Sequence, residues 1–129
     1  MIQEQYVSFE VAKLLKKKGF DELCSKKYNV NKQIVFAGKQ IELWQNSEFD
    51  NNEECSAPTQ QMAMRWLREI YKLHIEIIIV TNFPKERYAI QIVKNCEPIL
   101  LSKNNEHVQE YNTYEDAVEA AIMYCLRIL

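Results

Sequence analysis

The sequence predicts a single α+β domain: a helix, a hairpin, a second helix, a three-stranded antiparallel meander, and a C-terminal helix packed on the sheet. Three observations predict it. Three segments with helical spacing each open on a hydroxyl residue. A run rich in β-branched side chains, followed by two further strand-like runs, lies between the second and third of them. The chain has 129 residues, 47% of them in the hydrophobic set and 26% charged, enough for one core without disulfide or metal.

The helical segments share a local pattern of a hydroxyl residue, Glu or Gln two positions on, and Ala four positions on. Ser8, Glu10 and Ala12 fit it, as do Thr59, Gln61 and Ala63, and Thr113, Glu115 and Ala117. The hydroxyl accepts from free N–H groups of the first turn, and an early acid suits the positive helix end. Asp116, three after Thr113, is also placed as a capping-box acid. Capping explains the recurrence more simply than duplication of a unit.

The first helix is expected from Ser8 to about Lys18, with Val11, Ala12, Leu14 and Leu15 inward. Its lysines Lys13, Lys16, Lys17 and Lys18 form the solvated side, Gly19 supplies the left-handed residue at its end, and Phe20 packs back. Ile34–Ala37 and Ile41–Trp44, separated by Gly38, Lys39 and Gln40, form the expected hairpin. A polar, acidic surface loop occupies about 45–57. After Pro58 the second helix runs from Thr59 to about Lys72, with an apolar stripe of Met62, Ala63, Trp66, Leu67 and Ile70.

Ile75–Val80 is a strand ending near Thr81–Pro84. Arg87–Val93 follows, with Tyr88, Ile90 and Ile92 on one face, and a turn at Asn95–Pro98 leads to a short third strand, Ile99–Leu101. The third helix starts at Thr113. From Ala120 onward its only charged residue is Arg127, so either it crosses the sheet as a core helix or a second copy of the chain covers part of it as a homodimer.

Composition excludes several chemistries. Gly19 and Gly38 are the only glycines, so no phosphate-cradling glycine loop can be assembled. Cys24, Cys55, Cys96 and Cys125 form no Cys-x-x-Cys pair; they read as separate reduced thiols, which places the protein in the cytoplasm. Residues 1–10 lack a basic segment followed by an apolar one, and no apolar run is long enough for a bilayer. No metal site and no cofactor is expected, and no membrane partner.

Catalytic constellations fare no better. His74-Ile75-Glu76 matches the opening of the zinc-deaminase signature, but Pro-Cys-x-x-Cys is missing and only Cys96-Glu97-Pro98 brings the two residue types near. A cysteine enzyme would use Cys55, close to a helix start, with His74 or His107 as base; Glu53 and Glu54 beside it oppose a thiolate. The neighbouring carboxylates Asp21-Glu22, Glu53-Glu54 and Glu115-Asp116 all sit in polar or capping contexts.

The net charge of −2 conceals a split along the chain. Residues 1–40 hold eight lysines against four acids, whereas residues 41–60 hold five acids and no basic residue. The acids Glu48, Asp50, Glu53 and Glu54 make the loop a candidate partner surface, so the expected function is non-enzymatic binding of another protein. The alternative is nucleic-acid binding. Arg65, Arg68 and Lys72 share one face of the second helix, and Lys85 and Arg87 follow at a hairpin turn.

The segment Cys55–Glu69 resembles a group of small, uncharacterised proteins encoded in phage and prophage regions of gut bacteria. Gln5–Lys16 and Thr113–Leu126 are similar to the opening and closing segments of that group. The resemblance covers the three helices, is specific at the second and loose at the strands. It implies a phage-associated setting, and no activity or catalytic residue comes with it.

Overall fold

The computed structural model describes residues 2–36, 43–82, 84–100 and 109–129. Among the described residues, three helices and two three-stranded antiparallel sheets give the α+β fold that the sequence predicts. The chain gathers into two compact units, one reaching to Met62 and also holding Leu129, the other running from Ala63 to Ile128.

In the first unit α1 (Phe9–Lys17) starts where the Ser8 side chain accepts from the Val11 N–H at 3.2 Å. It ends in a Schellman motif: the Gly19 N–H donates to Lys16 O at 3.1 Å and the Phe20 N–H to Leu15 O at 2.9 Å. Gly19 sits at φ +97°, and Phe20 is buried with Leu15. Val11 and Ala12 complete the inward stripe, while Leu14 is only half-buried.

The sheet of this unit, in order β2-β1-β3, differs from the expected hairpin. Its central strand β1 (Lys26–Tyr28) pairs antiparallel with β2 (Ile34–Phe36) on one edge and β3 (Cys55–Ser56) on the other. Ile34–Phe36 thus takes a partner that precedes it. Of Ile41–Trp44, Trp44 forms an isolated bridge with Cys24, and the predicted turn lies in 37–42, outside the described residues. The local chemistry of 29–33 favours β1. Asn29 Oδ1 accepts from the N–H groups of Asn31 and Gln33, and Lys32 adopts φ 61°, which together fold the chain back over five residues. α1 packs on β3, and Val7, Val11, Leu15, Phe20, Tyr28 and Cys55 fill the core. The buried Tyr28 hydroxyl donates to Val7 O at 2.5 Å.

α2 (Gln60–Tyr71) belongs to the second unit from Ala63 onward. Thr59 caps it by accepting from the Met62 N–H at 3.1 Å. Ala63, Trp66 and Leu67 are buried as expected, but Met62 and Ile70 are exposed. Tyr71 lies edge-on to Trp66, with centroids 5.2 Å apart, so it closes the stripe where Ile70 was expected. Lys72, at φ 58°, ends the helix and feeds the next strand directly.

β4 (Leu73–Asn82) and β5 (Lys85–Lys94) pair from Leu73↔Lys94 to Asn82↔Lys85, and β6 (Glu97–Leu100) adds an edge. Leu73, Ile75 and Ile77 turn from solvent while His74 and Glu76 face it. Asn95 and Cys96, at φ 52° and 65°, make the two-residue type I′ turn between β5 and β6. Pro98 is accommodated because β6 is an edge strand with a register shift opposite Ile92 and Val93. The strand begins two residues before the expected Ile99, and Leu101 lies outside the described residues.

α3 (Tyr114–Ile128) opens with the Asp116 N–H donating to Thr113 Oγ1 at 3.0 Å. It packs on β4 and β5, burying Ala117, Val118, Ala121, Ile122, Cys125 and Leu126 as one stripe. The core role of this helix therefore accounts for its apolar face. Ala120, Met123 and Tyr124 on its flanks are half-buried.

Candidate functional site

The acidic segment is a built structure and not an open arm. It begins with a 3₁₀ turn at Asn46–Glu48, and the buried Asn46 side chain donates to Phe20 O at 2.7 Å and accepts from the Ser56 N–H at 2.8 Å. Asp21 accepts from the Ser47 N–H at 2.7 Å, so this acid is a cap. Lys16, expected on the wet side of α1, instead donates through Nζ to three carbonyls: Phe49 O at 3.2 Å, Asn51 O at 2.6 Å and Glu54 O at 2.9 Å. An ammonium group with three donors is matched by three converging acceptors, and the loop folds around it.

The four candidate acids therefore separate. Glu54 pairs with Lys27 at 2.6 Å and accepts from Asn51 Nδ2 at 3.1 Å, which together hold its carboxyl below the usual carboxylate range. Glu48 accepts from the Gln45 N–H at 3.3 Å. Asp50 and Glu53 are exposed and remain available to a partner.

The basic candidates are not gathered into one patch. Arg65 pairs with Glu69 at 2.9 Å along the helix, and Lys72 Nζ donates to Glu69 O at 3.1 Å, so one glutamate residue occupies both. Arg87 lies 3.7 Å from Glu110 and donates to Asn112 Oδ1 at 3.0 Å. Lys72 adjoins the first residue of β4, whereas Lys85 pairs with its last, Asn82; a ten-residue strand sets these ends roughly 30 Å apart. Arg68 and Lys85 are exposed.

The thiol chemistry expected of a cysteine enzyme is absent at Cys55. Its thiol is buried and pushed up to about 11 by desolvation, against the pull of Lys16 and Lys13; burial, and not Glu53 or Glu54, opposes the thiolate. Cys24 is likewise raised to about 11 and Cys125 to about 12, both chiefly by burial. Cys96 is exposed on its turn. His74 is exposed at the start of β4, and His107 lies outside the described residues. No group of three His, Cys, Asp or Glu side chains that could hold a metal ion occurs among the described residues. Among them, too, no helix is long and apolar enough to cross a membrane.

The face the sequence reading missed lies on the β1–β2 hairpin. Lys26 pairs across the strands with Phe36, and Tyr28 with Ile34, so these four side chains share one side of the sheet. Lys26 Nζ sits between two rings, 3.9 Å from the Tyr6 centroid and 4.3 Å from that of Phe36. Lys32 Nζ lies 5.4 Å from the Phe9 centroid, and Phe9 meets Tyr28 edge-on at 5.5 Å. Phe36 is 69% exposed, Val30 54% and Ile34 38%. The available signal was the alternation of Lys26 and Tyr28 with Ile34 and Phe36, hidden because Lys26-Lys27 reads as a charge run. No protein-family model, curated protein or solved structure matches this chain.

Proposed function

We propose that the protein is a non-enzymatic module that binds another protein through the β1–β2 face, in the phage-associated setting implied by its resemblance. The observation that carries this reading is the exposure of Phe36, which has the Lys26 ammonium group over its ring, on a hairpin where Val30 and Ile34 are exposed as well and the Lys32 ammonium group lies over Phe9. Aromatic side chains left in water beside aliphatic ones mark interfaces, because covering them removes apolar area from solvent. A base-stacking platform needs successive open rings; here Lys26 already occupies a face of Tyr6 and of Phe36, and Lys32 lies over Phe9. Protein therefore fits this face better than nucleic acid.

The test is retention of host proteins by the tagged chain, with and without nuclease, at low and moderate salt. A discrete protein retained after nuclease, and reduced at least tenfold by Phe36→Ala, is the expected result. Retention that vanishes with nuclease, or that Phe36→Ala leaves intact, overturns the reading.

A further inference from the structure

We propose that the β1–β2 face takes an acidic segment bearing an aromatic side chain, an inference that rests on reading this face as the protein-binding one. The chain already displays such a recognition on the other side of β1. Successive strand residues point to opposite faces, so Lys27 is directed away from Lys26. Lys27 Nζ lies 2.6 Å from the Glu54 carboxylate and over the rings of Phe49 and Trp44, at 5.1 and 4.9 Å. Lys16 Nζ, 5.8 Å from the Phe49 centroid, binds the backbone of the same segment. Two ammonium groups thus hold one aromatic ring, one carboxylate and the carbonyls between them.

The opposite face repeats half of this arrangement. Lys26 and Lys32 are again two ammonium groups set against aromatic rings, Tyr6, Phe36 and Phe9. Among the described residues, however, the carboxylate is missing: no acidic side chain lies within ion-pair distance of either lysine. Charge complementarity then fixes the occupant. Carboxylates of a bound segment pair with Lys26 and Lys32, and its aromatic ring covers the outer side of Phe36 with Val30 and Ile34. A polyanion without apolar side chains satisfies the lysines and leaves the exposed rings in water.

The probe is a synthetic copy of residues 47–54 of this chain, SEFDNNEE, added to the full-length protein up to about millimolar concentration while backbone amide NMR signals are followed, the range in which weak peptide contacts register. Saturable shifts at residues 26–36 are expected, with affinity lowered at least threefold by Lys32→Gln and at least tenfold when Lys26→Gln is added. Melting temperature checks that the double variant is folded; should it not be, Lys32→Glu alone must abolish the shifts. A peptide with every acid replaced by lysine, and a twelve-nucleotide oligothymidylate, are expected to give no saturable shift. Binding of the lysine peptide or the oligothymidylate at equal strength overturns the proposal. So does the absence of saturation, or shifts confined to Lys16 and residues 49–54, which would mean exchange with the chain's own loop. If the peptide fails while Phe36→Ala still removes a retained host protein, the acidic-segment inference falls and the binding face stands; if neither responds, both fall.

Discussion

Lys16 shows how much one side chain can organise. Its ammonium group satisfies three carbonyls separated from it by 33 to 38 positions, and without it Phe49, Asn51 and Glu54 would have to find other donors. Lys16→Met is expected to destabilise the protein by about 2 kcal/mol, the scale of hydrogen bonds to a charged group, read as a lower urea midpoint. Faster amide exchange at Glu53 and Glu54 should accompany it, because the turn around Asn51 Oδ1 loses its anchor. The thiols yield a second expectation at this scale. At pH 8 Cys96 alone should react with an alkylating agent in the native protein, while Cys24, Cys55 and Cys125, buried and shifted to about 11, about 11 and about 12, should react only on unfolding. Equal labelling of two or more thiols would contradict this. Helix caps such as Ser8 and Thr113 were legible in the sequence because each hydroxyl meets a backbone N–H three residues on. Lys16 was not legible, since nothing local tells a solvated lysine from one that meets a distant loop.

Elements end where backbone conformation permits. Gly19 closes α1 at φ +97° with nothing within 4 Å of an added Cβ, so Gly19→Ala meets no clash and carries only the conformational penalty of the left-handed region. A loss of roughly 1 kcal/mol is expected in chemical denaturation, with the fold unchanged. The β5–β6 turn presents the converse. Cys96 holds φ 65° at the second central position of a type I′ turn, where Asn-Gly is preferred. Cys96→Gly should raise stability by about 0.5–1 kcal/mol, visible as a higher urea midpoint at unchanged slope; a decrease would mean the thiol has a packing role. At this scale the strongly patterned segments were legible: α1, α2, α3, β4 and β5 follow helical or β-branched patterning. β1 was not, because Lys26-Lys27-Tyr28 has no strand signature and owes its conformation to pairing with strands on both edges.

For the whole molecule, the ionisable groups bracket a range of stability. The Glu54 carboxyl is held below its ordinary 4.5 by its bonds to Lys27 and Asn51, so it contributes stability above that value and loses it as pH falls. The buried thiols are raised above their ordinary 9.0, so their contribution is complete below that value and declines as pH rises through about 11 to about 12. Urea midpoints measured from pH 3 to 11 should form a plateau from about 5 to 9, and Glu54→Gln should flatten the acid limb. A stability maximum outside that window would refute the assignment. The sequence by itself determined the α+β class, the three capped helices, the β4–β5 hairpin and the absence of a glycine loop or paired cysteine motif, because periodicity, caps and motif spacing are carried by neighbours in the chain. Only the tertiary structure decided which charges are spent. It tied Lys16 and Glu54 into hydrogen bonds, paired Arg65 and Arg87, buried Cys55, and left Phe36 in water beside Lys26. Those outcomes depend on residues brought together from distant positions, and no local pattern records the distance between them.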